Sequence, residues 1–248
     1  MELAKRAAIL AGEEILKIYE NENFEIEYKE GQSPLTTADK AGHRIISDLL
    51  VETQIPVMSE EGRDIPFEER KDWAAYWLVD PLDGTKEFLK RNGEFTVNIA
   101  LIMENRPVFG VVYTPVLKDL YFGGRAFGSF KKDCNGNSIS FPVSKSGQVE
   151  VIVASRSHLS NETKQFIDNY PNAQMISMGS SLKFLLVAEG KAQLYPRFAP
   201  TMEWDTAAAQ AVVEGAGGEV LTYPDLLPMG YNKPNLLNNW FLVKGAGQ

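Results

Sequence analysis

Cysteine and histidine are scarce in this chain, and their scarcity limits its chemistry. Its 248 residues include one cysteine, Cys134, and two histidines, His43 and His158. A single cysteine excludes an intrachain disulfide and fits a reducing compartment. His43 lies in a predicted helix with no partner at metal-binding spacing, so we assign it no role.

Positive charge is also in deficit. The chain carries 25 lysines and arginines against 33 aspartates and glutamates, a formal net charge of −8. This balance argues against binding to nucleic acid polymers, which requires a basic surface that displaces counterions. A polyanionic small molecule would therefore have to be held locally, by metal ions and a few lysines.

Long apolar runs are missing as well. Residues 1–19 form an amphipathic pattern that Lys5, Arg6, Glu13, Glu14 and Lys17 interrupt. The pattern has neither the unbroken apolar stretch of a signal peptide nor the length of a transmembrane helix. We therefore expect a cytoplasmic protein.

The remaining composition, 44% hydrophobic and 23% charged, is typical of a soluble globular protein with one large domain or two closely packed ones. Hydrophobic periodicity predicts helices over 3–18 and 38–51, a half-exposed strand over 24–28, and an antiparallel meander beginning at residue 95. Strands and helices alternate from residue 149 onward. The polar stretch 132–147 is the best boundary, so we predict an α+β domain over 1–143 and an α/β domain over 144–248.

The most informative segment is Trp77-Leu-Val-Asp-Pro-Leu-Asp-Gly-Thr-Lys-Glu-Phe88. Asp80 ends an apolar run, Pro81 biases Asp80 away from helical geometry, and Asp83 follows one tight turn later. Both carboxylates can then face one small volume. Together with the backbone carbonyl of Leu82, they offer the oxygen ligands that Mg²⁺ prefers.

The residues after Asp83 suit an anion. Gly84 allows a close approach of the backbone, and the amides of Gly84 and Thr85 can point at a phosphate. The competing interpretation is an ordinary turn, since Asp-Pro and Asp-Gly are common turn formers. Two acids, a proline, a glycine and a hydroxyl within six residues exceed what a turn requires.

Three further acidic positions stand in suggestive places. The pair Glu60 and Glu61 closes a short apolar run, so one of them could end a strand near Asp80, although adjacent glutamates are usually a solvated pair. Asp39 lies in the first turn of a predicted helix, where the helix dipole favours an acid without any catalytic duty. Asp205 also opens a predicted helix, where a simple cap explains it equally well.

Taken together, two motifs resemble the signatures of the inositol monophosphatase-like superfamily. They are Asp80-Pro-Leu-Asp-Gly-Thr85 and Trp204-Asp-Thr-Ala-Ala-Ala209, with Thr36, Asp39 and Glu61 at the expected relative positions. The resemblance covers essentially the whole chain. Three stretches resemble more specifically its bacterial 3'(2'),5'-bisphosphate nucleotidase branch: Gly84-Thr-Lys-Glu-Phe88, Tyr76-Trp-Leu-Val79 and Arg91-Asn-Gly-Glu-Phe-Thr-Val-Asn-Ile-Ala100.

The resemblance implies a fold and an activity. The fold is a mixed α/β, five-layer αβαβα sandwich with the metal site between its halves. The activity is a lithium-sensitive, Mg²⁺-dependent phosphomonoesterase of sulfur assimilation that uses two or three ions. It removes the 3'-phosphate of 3'-phosphoadenosine 5'-phosphate to give AMP and phosphate. Peripheral contact with the inner membrane and the oligomeric state stay open.

The resemblance also implies roles for individual residues. The metal ligands are Glu61, Asp80, the Leu82 carbonyl, Asp83 and Asp205, with Glu60 as the alternative to Glu61. A metal-activated water attacks the phosphate, with Thr85 as proton relay and Asp39 as its base. The implied substrate contacts, several of which are also explained as an ordinary helix start or a surface residue, are Gly84, Thr85, Lys86, Glu87, His158, Gly179, Ser180, Lys183 and Asp205.

Three alternatives stay open at this point. The same scaffold could hydrolyse inositol phosphates or sugar phosphates. It could bind a nucleotide without cleaving it, although the retained acids and Thr85 argue against this. The acids could finally be no more than the solvated surface of an acidic protein.

Overall fold

The computed structural model describes residues 1–21, 26–28, 34–141, 147–156 and 159–248. These residues form a seven-stranded sheet, a five-stranded sheet and a two-stranded ribbon, with helices on the faces of the two large sheets. Along the chain the helices are α1 (Glu2–Glu20), α2 (Thr37–Leu50), α3 (Phe67–Arg70), α4 (Thr85–Leu89), α5 (Asn161–Ile167), α6 (Leu182–Ala188) and α7 (Glu203–Gly215). A short 3-10 turn, Val51–Thr53, follows α2.

The strands are β1 (Ile26–Tyr28), β2 (Pro34–Thr36), β3 (Val57–Ser59), β4 (Ala75–Asp83), β5 (Thr96–Met103), β6 (Arg106–Thr114), β7 (Asp119–Gly124), β8 (Gly128–Lys132), β9 (Ser138–Phe141), β10 (Val151–Ser155), β11 (Gln174–Met178), β12 (Leu194–Arg197), β13 (Glu219–Thr222) and β14 (Phe241–Lys244). β1 and β2 pair as the antiparallel ribbon. The other strands divide between the two large sheets, β3 to β9 in the first and β10 to β14 in the second.

The first large sheet follows the chain order from β3 to β9. β3 runs parallel to β4, and every later pair is antiparallel. The short turns after β5, β6 and β7 confirm the predicted meander. One face of the sheet is covered by α1 and α2, which bury a stripe of small and branched side chains that includes Ala7, Ala11, Ile15 and Ile46.

Helix α7 covers the other face of this sheet and lies unusually close to it. Its alanines, such as Ala208, are almost fully buried because they face β4 to β8 at short range. At the closest point a Cβ atom on Gly110 of β6 would lie 2.0 Å from the carbonyl oxygen of Ala208. Small residues on both partners thus set the depth at which α7, and with it the acidic residue in its first turn, is held.

The second large sheet lies beyond α6 and α7. Its order is β11-β10-β12-β14-β13, with parallel pairing among β11, β10 and β12 and antiparallel pairing through β14 to β13. Helix α5 packs on its outer face, where Ile152, Leu194 and Leu242 meet Phe166. The layers are therefore helix, sheet, helix, sheet and helix, which confirms the predicted αβαβα sandwich.

Some local expectations differ from the structure. The stretch 132–147, expected to be a boundary loop, contains strand β9, which closes the first sheet. The predicted boundary between residues 143 and 144 lies in 142–146, outside the described residues, so the domain limits stay a prediction. Within the described ranges, no helix has the length and apolar character needed to cross a membrane.

Candidate metal and phosphate site

The site is built around the end of β4, where the two signature aspartates lie. The strand does not stop at Asp80, as the proline suggests, but continues to Asp83 through a register shift against β5. Asp80 pairs with Asn98 and Asp83 with Thr96, so the strand bulges between the two acids. Bulges of this kind re-aim side chains beside functional sites. Asp80 is buried, and its Oδ1 accepts a hydrogen bond from the Leu82 amide at 3.0 Å.

Three carboxylates from separate elements converge at this point. One oxygen each of Glu60, Asp80 and Asp205 lies within 4.8 Å of the others. Glu60 follows β3, Asp80 lies in β4, and Asp205 lies in the first turn of α7, where its Oδ2 accepts from the Met202 amide at 2.8 Å. Among the residues described, this is the one group of histidine, cysteine, aspartate and glutamate side chains with metal-binding geometry.

The mutual repulsion of these carboxylates favours the binding of a cation. Burial raises the pKa of Asp80 well above its ordinary value, and the nearby charges of Glu60, Asp83 and Asp205 raise it further. Burial also raises the pKa of Asp205, with Asp83 and Glu60 adding to it. Carboxylates this close repel one another unless a proton or a positive ion is shared among them. An all-oxygen donor set of this kind fits a hard divalent cation such as Mg²⁺.

The structure departs from the expected ligand set at the glutamate pair. It brings Glu60 to the aspartates, whereas Glu61, the residue favoured from the sequence, lies outside the described cluster. The reason is local. The Glu60 amide donates to the Val79 carbonyl at 3.0 Å, which extends the β3–β4 pairing by one residue and sets Glu60 beside Asp80. Glu60 and Glu61 are the central residues of a turn that the Gly62 amide closes by donating to the Ser59 carbonyl oxygen at 3.0 Å, so Glu61 lies beyond the paired end of β3.

Asp83 is held by donors from both halves of the molecule. Its Oδ2 accepts from the hydroxyls of Ser180 at 2.8 Å and Ser181 at 2.9 Å, and from the Asn98 side chain at 3.4 Å. Ser180 and Ser181 belong to the loop that precedes α6. Asp83 therefore lies beside the three-carboxylate cluster, with one of its oxygens committed to protein donors.

Asp39 and Thr85 are in contact, as the relay hypothesis requires. Thr36 caps α2, and both its amide and its hydroxyl donate to Asp39 Oδ2, at 2.7 and 2.6 Å. This capping box leaves Asp39 Oδ1 to accept from the Thr85 hydroxyl at 3.2 Å. The Thr85 hydroxyl also lies 3.3 Å from the Leu82 carbonyl oxygen. The helix cap and the contact to Thr85 thus use different oxygens of one carboxylate.

The residues after Thr85 separate into exposed and buried positions. Gly84 precedes α4 with φ of +97°, a conformation that glycine adopts readily. Lys86 is exposed on the rim of the adjoining cavity. Glu87 is buried, and its carboxylate accepts from Lys90 and from the Asn92 side chain. Glu87 therefore braces the chain after α4 as well as bordering the cavity.

A cavity of about 490 Å³ opens beside the cluster, between the two sheets. It contains most of the site residues expected from the sequence, namely Asp83, Gly84, Thr85, Lys86, Glu87, Gly179, Ser180, Lys183 and Asp205, together with Glu60. Lys183 is buried, and burial lowers its pKa to about 8. His158, the remaining expected contact, lies outside the described residues.

Comparison with known proteins agrees with this geometry. The model of the inositol monophosphatase family matches residues 1–238. The chain belongs to the inositol monophosphatase family. Enzymes of this family depend on metal ions, in keeping with the carboxylate cluster.

Individual family members lie at high similarity. The chain is 48% identical over 219 residues, 85% of each sequence, to the 3'(2'),5'-bisphosphate nucleotidase CysQ of Salmonella typhimurium. It is 45% identical over 243 residues, 94% of each sequence, to the CysQ protein of Escherichia coli K12. A crystal structure of CysQ from Bacteroides thetaiotaomicron superposes with a TM-score of 0.90 at 46% identity, covering 100% of this chain and 97% of that one.

Three charged residues at this site were not predicted from the sequence. Arg156 and Arg197 line the cavity, and Glu94 pairs with Arg156 at its edge. Arg156 follows β10 and Arg197 ends β12, while Gly179 follows β11. These three strands are parallel, so their carboxyl ends meet at one edge, where α/β sheets bind ligands. A cation at or directly after the end of a buried strand was the signal that could have indicated both arginines.

Proposed function

We propose that this protein is a Mg²⁺-dependent 3'(2'),5'-bisphosphate nucleotidase that removes the 3'-phosphate of 3'-phosphoadenosine 5'-phosphate to give AMP. The observation that carries the proposal is the convergence of Glu60, Asp80 and Asp205 within 4.8 Å at the mouth of a cavity with cationic side chains. The similarity to bacterial proteins named for this activity, at 44 to 48% identity over most of the chain, supports the choice of substrate.

The proposed metal set is Glu60, Asp80, Asp83, Asp205 and the carbonyl oxygen of Leu82, for two or three Mg²⁺ ions. Glu60 replaces the Glu61 of the sequence-based prediction. Bound Mg²⁺ would supply Lewis-acid stabilisation of the phosphoryl oxygens and make a water molecule more acidic. The carboxylates contribute by placing several negative charges within 4.8 Å of one another, for which a doubly charged ion is a suitable counterion.

Thr85 and Asp39 are the proposed proton-handling pair. The Thr85 hydroxyl can pass its proton to Asp39 Oδ1 and accept one from the attacking water. Asp39 Oδ2 is held by Thr36, so its orientation toward Thr85 is fixed before substrate arrives. An ordinary aspartate is a weak base at neutral pH, so the metal must provide most of the activation of the water.

The cavity fits a substrate with a second phosphate. Lys183 and Arg197 are buried cations in the cavity lining, and Arg156 and Lys86 are exposed cations of the same lining. We assign the second phosphate to Lys183, whose ammonium group lies 5.4 Å from the ring centre of Tyr195. An inositol monophosphate lacks the second phosphate that these buried cations would bind. A volume of about 490 Å³ lies in the range of small-molecule sites.

The experiment that tests the proposal is phosphate release across a substrate panel, with and without Mg²⁺ and with Li⁺ added. We expect 3'-phosphoadenosine 5'-phosphate to be the best substrate, with turnover lost in chelator and reduced by Li⁺. Faster hydrolysis of inositol 1-phosphate would identify an inositol phosphatase on the same fold. Nucleotide binding without phosphate release at millimolar Mg²⁺ would identify a non-catalytic binding protein.

A further inference from the structure

The turn that carries Ser180 and Ser181 is held in a strained shape. Ser180 has φ of +50°, in the left-handed region that non-glycine residues rarely adopt. A conformation of this kind persists only where the surroundings impose it. In this turn both serine hydroxyls donate to Asp83 Oδ2. The serine hydroxyls also have contacts of their own to β5, since Ser180 Oγ lies 2.6 Å from Thr96 Oγ1 and Ser181 Oγ accepts from Asn98 Nδ2 at 3.0 Å.

Two side chains, those of Lys183 and Glu94, hold the backbone of residues 179 and 180. Lys183 Nζ donates to the Ser180 carbonyl oxygen from within the same loop and helix. The Gly179 amide donates to Glu94 Oε2 at 2.7 Å. A side chain at position 179 would collide here, since a Cβ atom would lie 2.8 Å from Glu87 Cγ and 3.0 Å from the Glu94 carbonyl oxygen.

Glu94 is itself fixed by a two-pronged ion pair. Arg156 Nε donates to Glu94 Oε2 at 3.0 Å and Arg156 Nη2 donates to Oε1 at 2.7 Å. Arg156 Nη2 also donates to the Ser177 carbonyl oxygen at 3.0 Å. The Glu94 side chain is 16% exposed and that of Arg156 is 46% exposed, so the directionality of the pair comes from its two-pronged geometry. Glu94 precedes β5 of the first sheet, whereas Arg156 and Gly179 follow strands of the second.

We propose that Glu94 is a positioning residue for the metal site. Its carboxylate ties the 179–181 turn to the first sheet and so keeps the two serine hydroxyls on Asp83. The inference rests on the proposed function, because it takes Asp83 to be a metal ligand. With Oδ2 held by donors from the protein, Asp83 Oδ1 is the oxygen presented to an ion. Partners that orient a ligand in this way typically change metal affinity by about 10- to 100-fold when they are removed.

The test is a direct titration with Mn²⁺, which stands in for Mg²⁺ and is followed by its electron paramagnetic resonance signal. This readout needs no substrate and no turnover. We expect Glu94→Ala to weaken Mn²⁺ binding by about tenfold or more, and Glu94→Gln by less, because an amide oxygen can still accept from Gly179. The matched control is Glu69→Ala, which breaks a two-pronged pair with Arg63 outside the cavity lining and should leave Mn²⁺ binding unchanged.

A second variant keeps the proposal testable if the Glu94 variants fold poorly. Ser180→Gly removes the hydroxyl but also relieves the positive φ. If Ser180 has a purely structural role, the Ser180→Gly protein should be as stable as the parent protein and should bind Mn²⁺ equally well. Our proposal predicts unreduced thermal stability together with Mn²⁺ binding that is about tenfold weaker.

The possible results distinguish a failure of the Glu94 proposal from a failure of the proposed metal-ligand set. Unchanged Mn²⁺ affinity in a folded Glu94→Ala protein would overturn the positioning role of Glu94, and unchanged affinity in Ser180→Gly would overturn the role of the serine contact to Asp83; both results leave the metal site intact. Parent protein that binds no Mn²⁺, or binds it equally well after Asp83→Asn, would instead overturn the proposed ligand set itself.

Discussion

The adjacent residues Glu60 and Glu61 offer a sharp test of the metal site. They have the same side chain and are both half-buried, yet only Glu60 belongs to the described carboxylate cluster. Glu60→Gln removes one negative charge from a group whose members already repel one another, while Glu61→Gln is the matched control. The structure predicts opposite effects of Glu60→Gln with and without metal.

The magnitudes follow from the separations. Two unit charges 4.8 Å apart repel by about 3 kcal/mol at an effective dielectric constant of about 20, so removing Glu60 should stabilise the metal-free protein by a fraction of that amount. Bound Mg²⁺ has the opposite effect, because it stabilises the parent protein more than the Glu60→Gln variant. At about 100 times its dissociation constant, Mg²⁺ should stabilise the parent protein by about 2.7 kcal/mol, and a tenfold loss of affinity removes about 1.4 kcal/mol of this.

The assay is thermal unfolding of the three proteins in chelator and in Mg²⁺. For a chain of this length 1 kcal/mol corresponds to roughly 2 to 4 °C in Tm. We expect Glu60→Gln to melt higher than the parent in chelator and to gain markedly less from Mg²⁺, and Glu61→Gln to match the parent in both. A lost Mg²⁺ response in Glu61→Gln, with a normal response in Glu60→Gln, would refute the assignment.

Three other predictions follow from contacts in the site and the fold. Thr85→Ala should lower kcat by roughly 100-fold or more with little change in KM, while Thr85→Ser keeps the hydroxyl and most activity; equal kcat values would contradict the relay. The lowered pKa of Lys183, about 8 instead of 10.5, means that its positive charge is lost as the pH rises through that value. We therefore expect kcat/KM for the bisphosphate to fall up to about tenfold per pH unit above it, and Lys183→Arg to flatten the profile. Gly110→Ala should destabilise the fold by about 3 kcal/mol in urea unfolding, because its Cβ would lie 2.0 Å from the Ala208 carbonyl oxygen, whereas Gly230→Ala meets nothing within 4 Å and should be neutral.

Sequence patterns predicted most of the fold because its elements are strongly periodic or tightly connected. The helices α1, α2 and α7 and the meander from β5 to β8 all carry clear apolar spacing and short turns. Strand β9 was not predicted because residues 138–140 are exposed and follow an Asn-Gly-Asn turn. These residues therefore give no clear signal for a buried strand. Its pairing with β8 is a tertiary effect.

The candidate site was likewise predicted from the sequence only in part. The aspartates of β4 and the acid that opens α7 stand in motifs, so the sequence could name them. The choice between Glu60 and Glu61 depends on a tertiary contact, the backbone hydrogen bond from Glu60 to Val79, which places Glu60 beside Asp80. The pairing of Glu94 with Arg156 could not be predicted from the sequence for a related reason. It joins residues that are 62 positions apart and adjoin different sheets.

The most direct measurement of the central claim is the ratio of kcat/KM for 3'-phosphoadenosine 5'-phosphate to that for inositol 1-phosphate, at saturating Mg²⁺. We expect a ratio far above one, because the proposal assigns the second phosphate, which the inositol compound lacks, to the cavity that the buried cations Lys183 and Arg197 line. We also expect Lys183→Met to lower the ratio. A ratio at or below one in the parent protein would contradict the proposed function.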